Sequence, residues 1–227
     1  MTPRGEIQAS QVVYCTNGFT SHLLPKLRGK LFPLRGTMST QDLGSSFPNH
    51  GATRSWSIFE QSKVDSDSGT GNAGLYYLTQ NPISGYMFLG GEHDRPTNLI
   101  TSDDSQLNAT SATKIVEVLP KVFAGIESAP EVKSIWSGIM GFTRDGLPLA
   151  GRLPESMTGR PGDGEWICAG FNGYGTGYCF SCGLAVAHMI LGKDVSSWLP
   201  PIFLPTKDRL DSSLTKSKMW DSFIPLS

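Results

Sequence analysis

The chain has 227 residues, 38% of them hydrophobic and 17% charged, and a net charge of −1. That length suits one large or two small domains, and near-neutral charge without a basic run argues against a nucleic-acid partner. No apolar stretch approaches the about 18 residues of a membrane span, the opening MTPRGEIQAS lacks the apolar segment of a secretory leader, and four cysteines without secretory features fit reduced thiols in a cytoplasmic compartment.

With 26 glycines and 15 prolines the composition favours strands and turns over a helical bundle. Residues 11–15 (QVVYC) form a short β run ending at the turn signal Asn17-Gly18. A strand this near the start reads like the middle of a domain. Residues 19–28 are a connector containing Pro25, and residues 30–40 (KLFPLRGTMST) are extended, with Gly36 marking a bulge or close approach. Trp56–Phe59 is a strand, and residues 66–74 (SDSGTGNAG) are a small-polar loop. Leu75–Thr79 and Gly85–Leu89 flank Pro-Ile-Ser-Gly, a hairpin pattern. The periodicity predicts a helix over Thr110–Val118, with Ile115, Val118, Leu119 and Val122 on one side and Pro120 near its end. Val132–Ile139 is extended, residues 157–164 form a loop, and Trp166–Ala169 is a buried strand. A helix over Tyr178–Leu191 stops at Gly192, and the segment after Trp198 is Pro-rich with little periodicity. The fold class expected is α+β, with a mixed or antiparallel sheet and flanking helices.

The segment 170–177, GFNGYGTG, joins that last strand to that last helix. The order suits a dinucleotide-binding G-x-G-x-x-G turn, but the spacing does not. After Gly173 and Gly175 the third glycine position is Tyr178, and the chain then runs into Pro200-Pro201 rather than a second strand with an acidic residue. Two readings stay open at this level. The glycines permit tight strand–helix packing, or they let a flat or anionic ligand touch bare backbone N–H groups at a helix start.

Together with its neighbours the segment resembles the D-amino-acid-oxidase-like, FAD-dependent oxidoreductases, which include glycine and sarcosine oxidases and fungal relatives. Thr143-Arg144-Asp145-Gly146-Leu147-Pro148 matches the T-x-D-x-x-P element of that family, and Gly170 to Gly175 its G-F-x-G-x-G element. Residues 12–25 (VVYCTNGFTSHLLP), 33–38 (PLRGTM) and 84–93 (SGYMFLGGEH) resemble the passage into the substrate domain, its next strand and its hairpin. The likeness is to the C-terminal part of the family fold, without the N-terminal G-x-G-x-x-G module.

The resemblance implies residues 1–29 as a remnant of the FAD-binding domain, 30–135 as the substrate-binding domain, 136–198 as the return to the FAD-binding domain and 199–227 as a tail. It implies non-covalent FAD, contacted by Asn17, Gly18, Gly141, Gly173, Tyr174, Gly175 and Thr176, with backbone N–H groups stabilising reduced flavin. The attachment cysteine of some members is missing from Gly138-Ile139-Met140. The implied activity is oxidation of a C–N bond in a small amine or amino-acid-like substrate. The alternatives are a cofactor-free derivative, either a small-molecule binding protein or an isomerase or cyclase, and an inactive fragment. A missing half also implies an exposed apolar face, hence a homodimer or a complementary chain.

Remaining candidates are weighed against plain structural roles. Arg35 could hold a substrate carboxylate, Arg144 could stand at the substrate or the flavin edge, and His93, after Gly90-Gly91-Glu92, is the best placed of four scattered histidines. These three are the catalytic candidates. Cys179-x-x-Cys182 has redox spacing, but both cysteines share a helix face with Val186, Met189 and Ile190 and read as core. No pattern of metal ligands is present.

Overall fold

The computed structural model describes residues 3–61, 63–64, 71–72, 74–91, 93–126 and 129–211. The strands among them are β1 (Val12–Tyr14), β2 (Leu31–Asp42), β3 (Ser55–Phe59), β4 (Lys63–Val64), β5 (Gly71–Asn72), β6 (Leu75–Gln80), β7 (Met87–Gly90), β8 (His93–Asp94), β9 (Glu131–Thr143), β10 (Leu149–Arg152) and β11 (Glu165–Ala169). The helices are α1 (Thr20–Leu23), α2 (Pro96–Leu99), α3 (Ala109–Ile115), α4 (Val118–Val122), α5 (Glu155–Thr158), α6 (Gly175–Ile190) and α7 (Lys207–Asp211). The described residues divide into two compact units, 3–34 with 140–211, and 35–139. The chain passes from the first to the second within β2 and returns within β9.

The first unit is built on a three-stranded sheet in the order β1-β11-β10. β1 lies parallel to the central β11, with Val12 opposite Glu165, and β10 runs antiparallel to it, with Leu149 opposite Ala169. β11 is a continuous apolar run because both of its faces are covered. Its period of two sends Ile167 and Ala169 into a cluster with Leu24, Leu27, Leu31, Leu149 and Leu210. It sends Trp166 and Cys168 into a second cluster with Cys182, Ala185 and Val186 of α6 and with Phe203. Each fully buried leucine or isoleucine contributes about 1.5–3 kcal/mol. Tyr14 and Arg160 both bond to Glu165, which ties β1 to the end of β11.

The second unit carries a five-stranded sheet in the order β3-β6-β7-β2-β9, plus a small sheet β4-β5-β8. β3–β6, β6–β7 and β2–β7 pair antiparallel. β6 alternates cleanly, so Tyr76 and Leu78 face inward with Met87 and Leu89 of β7. Ile115, Val118 and Leu119 of α3 and α4 close that core. The hairpin turn is held by side chains: Asn81 Oδ1 accepts from the Ile83 and Ser84 N–H groups, and Gln80 Nε2 donates to the Gly85 carbonyl.

Several expectations shift. The helix expected at Thr110–Val118 is two short helices, α3 and α4, and Val122 lies exposed while Ile115, Val118 and Leu119 are buried. The helix expected from Tyr178 begins at Gly175, because glycine tolerates helical backbone even where it weakens it. Leu149–Arg152 is a strand that the Gly and Pro around it concealed. The Pro-rich segment after Trp198 forms a 3-10 turn at Pro201–Phe203 and then α7, with Phe203 and Leu210 buried. Most of the 66–74 loop lies outside the described residues.

Candidate functional site at the glycine turn

Three segments of the first unit converge: the turn after β1, the end of β9 and the loop after β11. Two asparagines join them. Asn17 sits at φ 42° and its Oδ1 accepts from the N–H groups of Gly170 (2.9 Å) and Phe171 (3.5 Å). Asn172 sits at φ 53°, accepts at Oδ1 from Thr143 N (2.8 Å), and donates from Nδ2 to Thr143 Oγ1 (3.1 Å) and to the Gly170 carbonyl. Its own N–H donates to the Gly141 carbonyl at 2.8 Å. Asparagine is the non-glycine residue that best accepts this left-handed backbone.

Close approach explains two of the glycines. A Cβ on Gly141 would lie 2.3 Å from Asn17 Oδ1 and 2.8 Å from Gly18 N, and one on Gly170 would lie 2.5 Å from Thr143 Cγ2. Gly170 and Gly173 also need their positive φ of 76° and 83°. Gly175 and Gly177 differ. Neither has positive φ; a Cβ on Gly175 would make only ordinary contact with Phe171, and one on Gly177 would meet nothing within 4 Å. Both sit in the first turn of α6, where glycine in place of alanine costs up to about 1 kcal/mol. The fold of this unit gives no reason for them.

The helix start is bare. α6 is 16 residues long, its first residue follows Tyr174 with no side-chain cap, and its first turn holds no acidic side chain. Its open N–H groups and dipole make the loop locally positive, equivalent to about half a charge. Gly173, Tyr174, Thr176 and Gly177 are exposed, Tyr174 at 66%. An exposed loop with no side-chain cap and two Cβ-free positions can receive the edge of a flat, electron-rich molecule.

The T-x-D turn beside it is held from behind. Thr143 Oγ1 donates to the Leu147 carbonyl at 2.8 Å. Arg209 of α7 grips Asp145 through Nε (2.6 Å) and Nη2 (2.9 Å) and donates to the Pro148 and Leu147 carbonyls. Burial pushes the Asp145 carboxyl up, but the Arg209 guanidinium more than offsets this and leaves it below the usual range. A cleft of about 460 Å³ opens here between Lys30, Arg144, Asp145 and Arg209.

Among the sequence candidates, Asn17, Gly18 and Gly141 come together behind the loop, and Gly173, Tyr174 and Thr176 form its exposed lip with Gly175 half-buried between them. Asn17 Oδ1 is engaged by the loop backbone, so that atom positions the turn. Arg144 is exposed at the cleft in the same unit, whereas Arg35 and His93 belong to the second unit. For His93 only the backbone is described. Cys182 is buried but Cys179 is exposed, which corrects the shared core face expected for the pair. Burial pushes the Cys168 thiol up to about 12, so it is inert at neutral pH. Among the described residues no group of His, Cys, Asp or Glu side chains could hold a metal ion, and no helix is long and apolar enough to cross a membrane. The candidate contacts left out Asn172 and Thr143, though both lie within the two elements that carry the resemblance. Their signal was an asparagine between the left-handed glycines 170 and 173.

Residues 1–189 match the family model for FAD dependent oxidoreductases, DAO. The chain belongs to this family. Among solved structures it is similar to glycine oxidase from Geobacillus kaustophilus, with TM-score 0.61 and 20% identity, covering 90% of this chain and 47% of that one. L-proline dehydrogenase from P. horikoshii superposes with TM-score 0.62 and 19% identity over 93% of this chain and 50% of that one. Fructosamine oxidase from Aspergillus fumigatus does so with TM-score 0.60 and 15% identity over 94% and 49%. At these identities the likeness is one of fold, and the DAO chain described here spans about half the length of these relatives. No curated protein sequence matches it.

Proposed function

We propose that this chain is the part of an FAD-dependent amine or amino-acid oxidoreductase that meets the flavin ring through residues 170–177. The observation that carries the reading is the pair Gly175 and Gly177: helical glycines that the fold does not require, at an exposed, uncapped helix start. Membership of the DAO family and the oxidases and dehydrogenases among its fold neighbours support it. When bound, FAD would supply the acceptor for a hydride taken from a C–N bond.

In this reading the N–H groups of Gly173, Gly175 and Thr176 and the α6 dipole stabilise negative charge on the ring edge, while the Tyr174 N–H holds the turn by donating to the Phe171 carbonyl. Asn17, Gly18 and Gly141 stand behind them and fix the turn, as Asn172 does. Residues 1–29 and 136–198 serve the cofactor side and residues 30–135 the substrate side. Arg144 is positioned to attract an anionic group to the T-x-D cleft. The adenosine and pyrophosphate contacts come from polypeptide beyond these 227 residues, on the same chain or a complementary one, and the setting is the cytoplasm.

Titration of the purified chain with FAD tests the reading. The visible flavin band should shift and its fluorescence should change. Gly177→Ala and Gly175→Ala should abolish or weaken that response by about tenfold while leaving circular dichroism unchanged. Spectra of free FAD that stay unchanged would instead favour a cofactor-free derivative.

A further inference from the structure

The sequence contains two Asn-Gly steps, Asn17-Gly18 and Asn172-Gly173. Their asparagines are the only non-glycine residues with positive φ among the described residues, and both pin the glycine turn. An asparagine followed by glycine carries a reaction of its own. Glycine has no Cβ to shield its backbone nitrogen, so that nitrogen can reach the amide carbon of the preceding side chain. The fold treats the two steps oppositely.

Asn172 is locked. It is 7% exposed, its Nδ2 donates to Thr143 Oγ1 (3.1 Å) and to the Gly170 carbonyl, and its Oδ1 accepts from Thr143 N (2.8 Å). A side-chain amide held at both ends can neither swing its carbon toward Gly173 nor release ammonia into water. Asn17 is half-buried, and its Nδ2 has no partner among the described residues and is not closed off from solvent. Its Oδ1 accepts from two N–H groups, at 2.9 and 3.5 Å, an arrangement that stabilises the negative oxygen formed when the amide carbon is attacked. Among the described residues the Gly18 N–H has no acceptor. Asn17 Cγ and Gly18 N also border one gap, since a Cβ on Gly141 would lie 2.8 Å from each. The Gly173 N–H is open as well, so the difference between the two steps lies in the asparagine side chains.

We infer that Asn17 is a site of spontaneous deamidation in the folded chain and that Asn172 is protected from it. Hydroxide or a buffer base takes the Gly18 N–H proton as the nitrogen attacks Asn17 Cγ. The N–Cγ bond forms, the Cγ–Nδ2 bond breaks, and Nδ2 leaves as ammonia with a proton from water. The five-membered imide then takes up water and opens at either carbonyl, to aspartate or to isoaspartate. Isoaspartate places an extra carbon in the backbone at position 17 and withdraws the acceptor from the Gly170 and Phe171 N–H groups. The reaction involves only this chain and water, so it stands or falls separately from the function proposed above.

The test holds the purified whole chain, without flavin, at mildly alkaline pH and samples it over days. Peptide mapping by mass spectrometry, in a mode that resolves aspartate from isoaspartate, follows both steps at once. The peptide with Asn17 should show the amide-to-acid mass gain at least about tenfold faster than the peptide with Asn172. In strong urea the two should react at similar rates, because only the fold separates them. An Asn17 that stays intact, an Asn172 that reacts as fast in the folded chain, or a difference that survives urea would each overturn the inference. Amide exchange at Gly170 and Phe171 should quicken as isoaspartate accumulates, and exchange that stays the same would overturn the consequence drawn for the turn. Both steps are read in one unmodified chain, so no variant has to fold for the result to count.

Discussion

The two units use their surfaces differently. In the second, β6 alternates inward and outward and its core is sealed by α3 and α4. In the first, the sheet ends on β1, whose Val12 and Val13 are each 41% exposed, and α6 presents Phe180 at 79%. Leu23, Leu184 and Leu191 add to this exposed apolar surface. The second unit exposes large apolar residues too, Phe59 and Ile83 among them, but in the first they fall on a strand edge and along a helix. In the proposed function these are the residues that a cofactor and further polypeptide would cover.

Substitutions can break this contrast or sharpen it. The largest effect is expected at Asn172. Asn172→Ala removes bonds to Thr143 and Gly170 and leaves alanine in left-handed backbone, a loss of about 3 kcal/mol. Urea unfolding should show the first unit loosened and the second unmoved. Arg209→Ala should cost about 2 kcal/mol, since a mostly buried guanidinium gives up Asp145 and two carbonyls. The expected readout is release of α7 and faster proteolysis of the C-terminal segment.

Acid should act on the first unit next. The Arg160 bond holds the Glu165 carboxyl below its ordinary value, and burial opposes this only in part. A depressed carboxyl gives stability that is present above its unfolded value and is lost as pH falls through the folded one. Melting temperature should therefore drop as pH falls below the usual carboxylate range, and Glu165→Gln should flatten that dependence. The smallest effect runs the other way. Gly177→Ala and Gly183→Ala put a methyl into open space on α6 and should each stabilise the chain by about 0.5–1 kcal/mol in urea titrations.

Much of the second unit was readable from sequence because alternation and turn residues are local signals. Leu75–Gln80 and Met87–Gly90 announce themselves, and Asn81 caps the turn between them. The first unit was harder to read. Cys168 and Ile167 lie in one apolar run, and nothing local says that they serve opposite clusters. The glycines at 170–177 marked the site, but their division of labour depends on partners 29 and 153 residues away in sequence, Thr143 and Asn17. Arg209 as the clamp on Asp145 spans 64 residues and left no pattern at all.

Amide hydrogen exchange with and without FAD tests the central claim most directly. Exchange at Gly173–Gly177 should slow when the flavin is added, and the amides of β6 and β7 should not change. Exchange at Gly173–Gly177 that stays the same at saturating flavin, or protection that appears only in the second unit, would contradict the account.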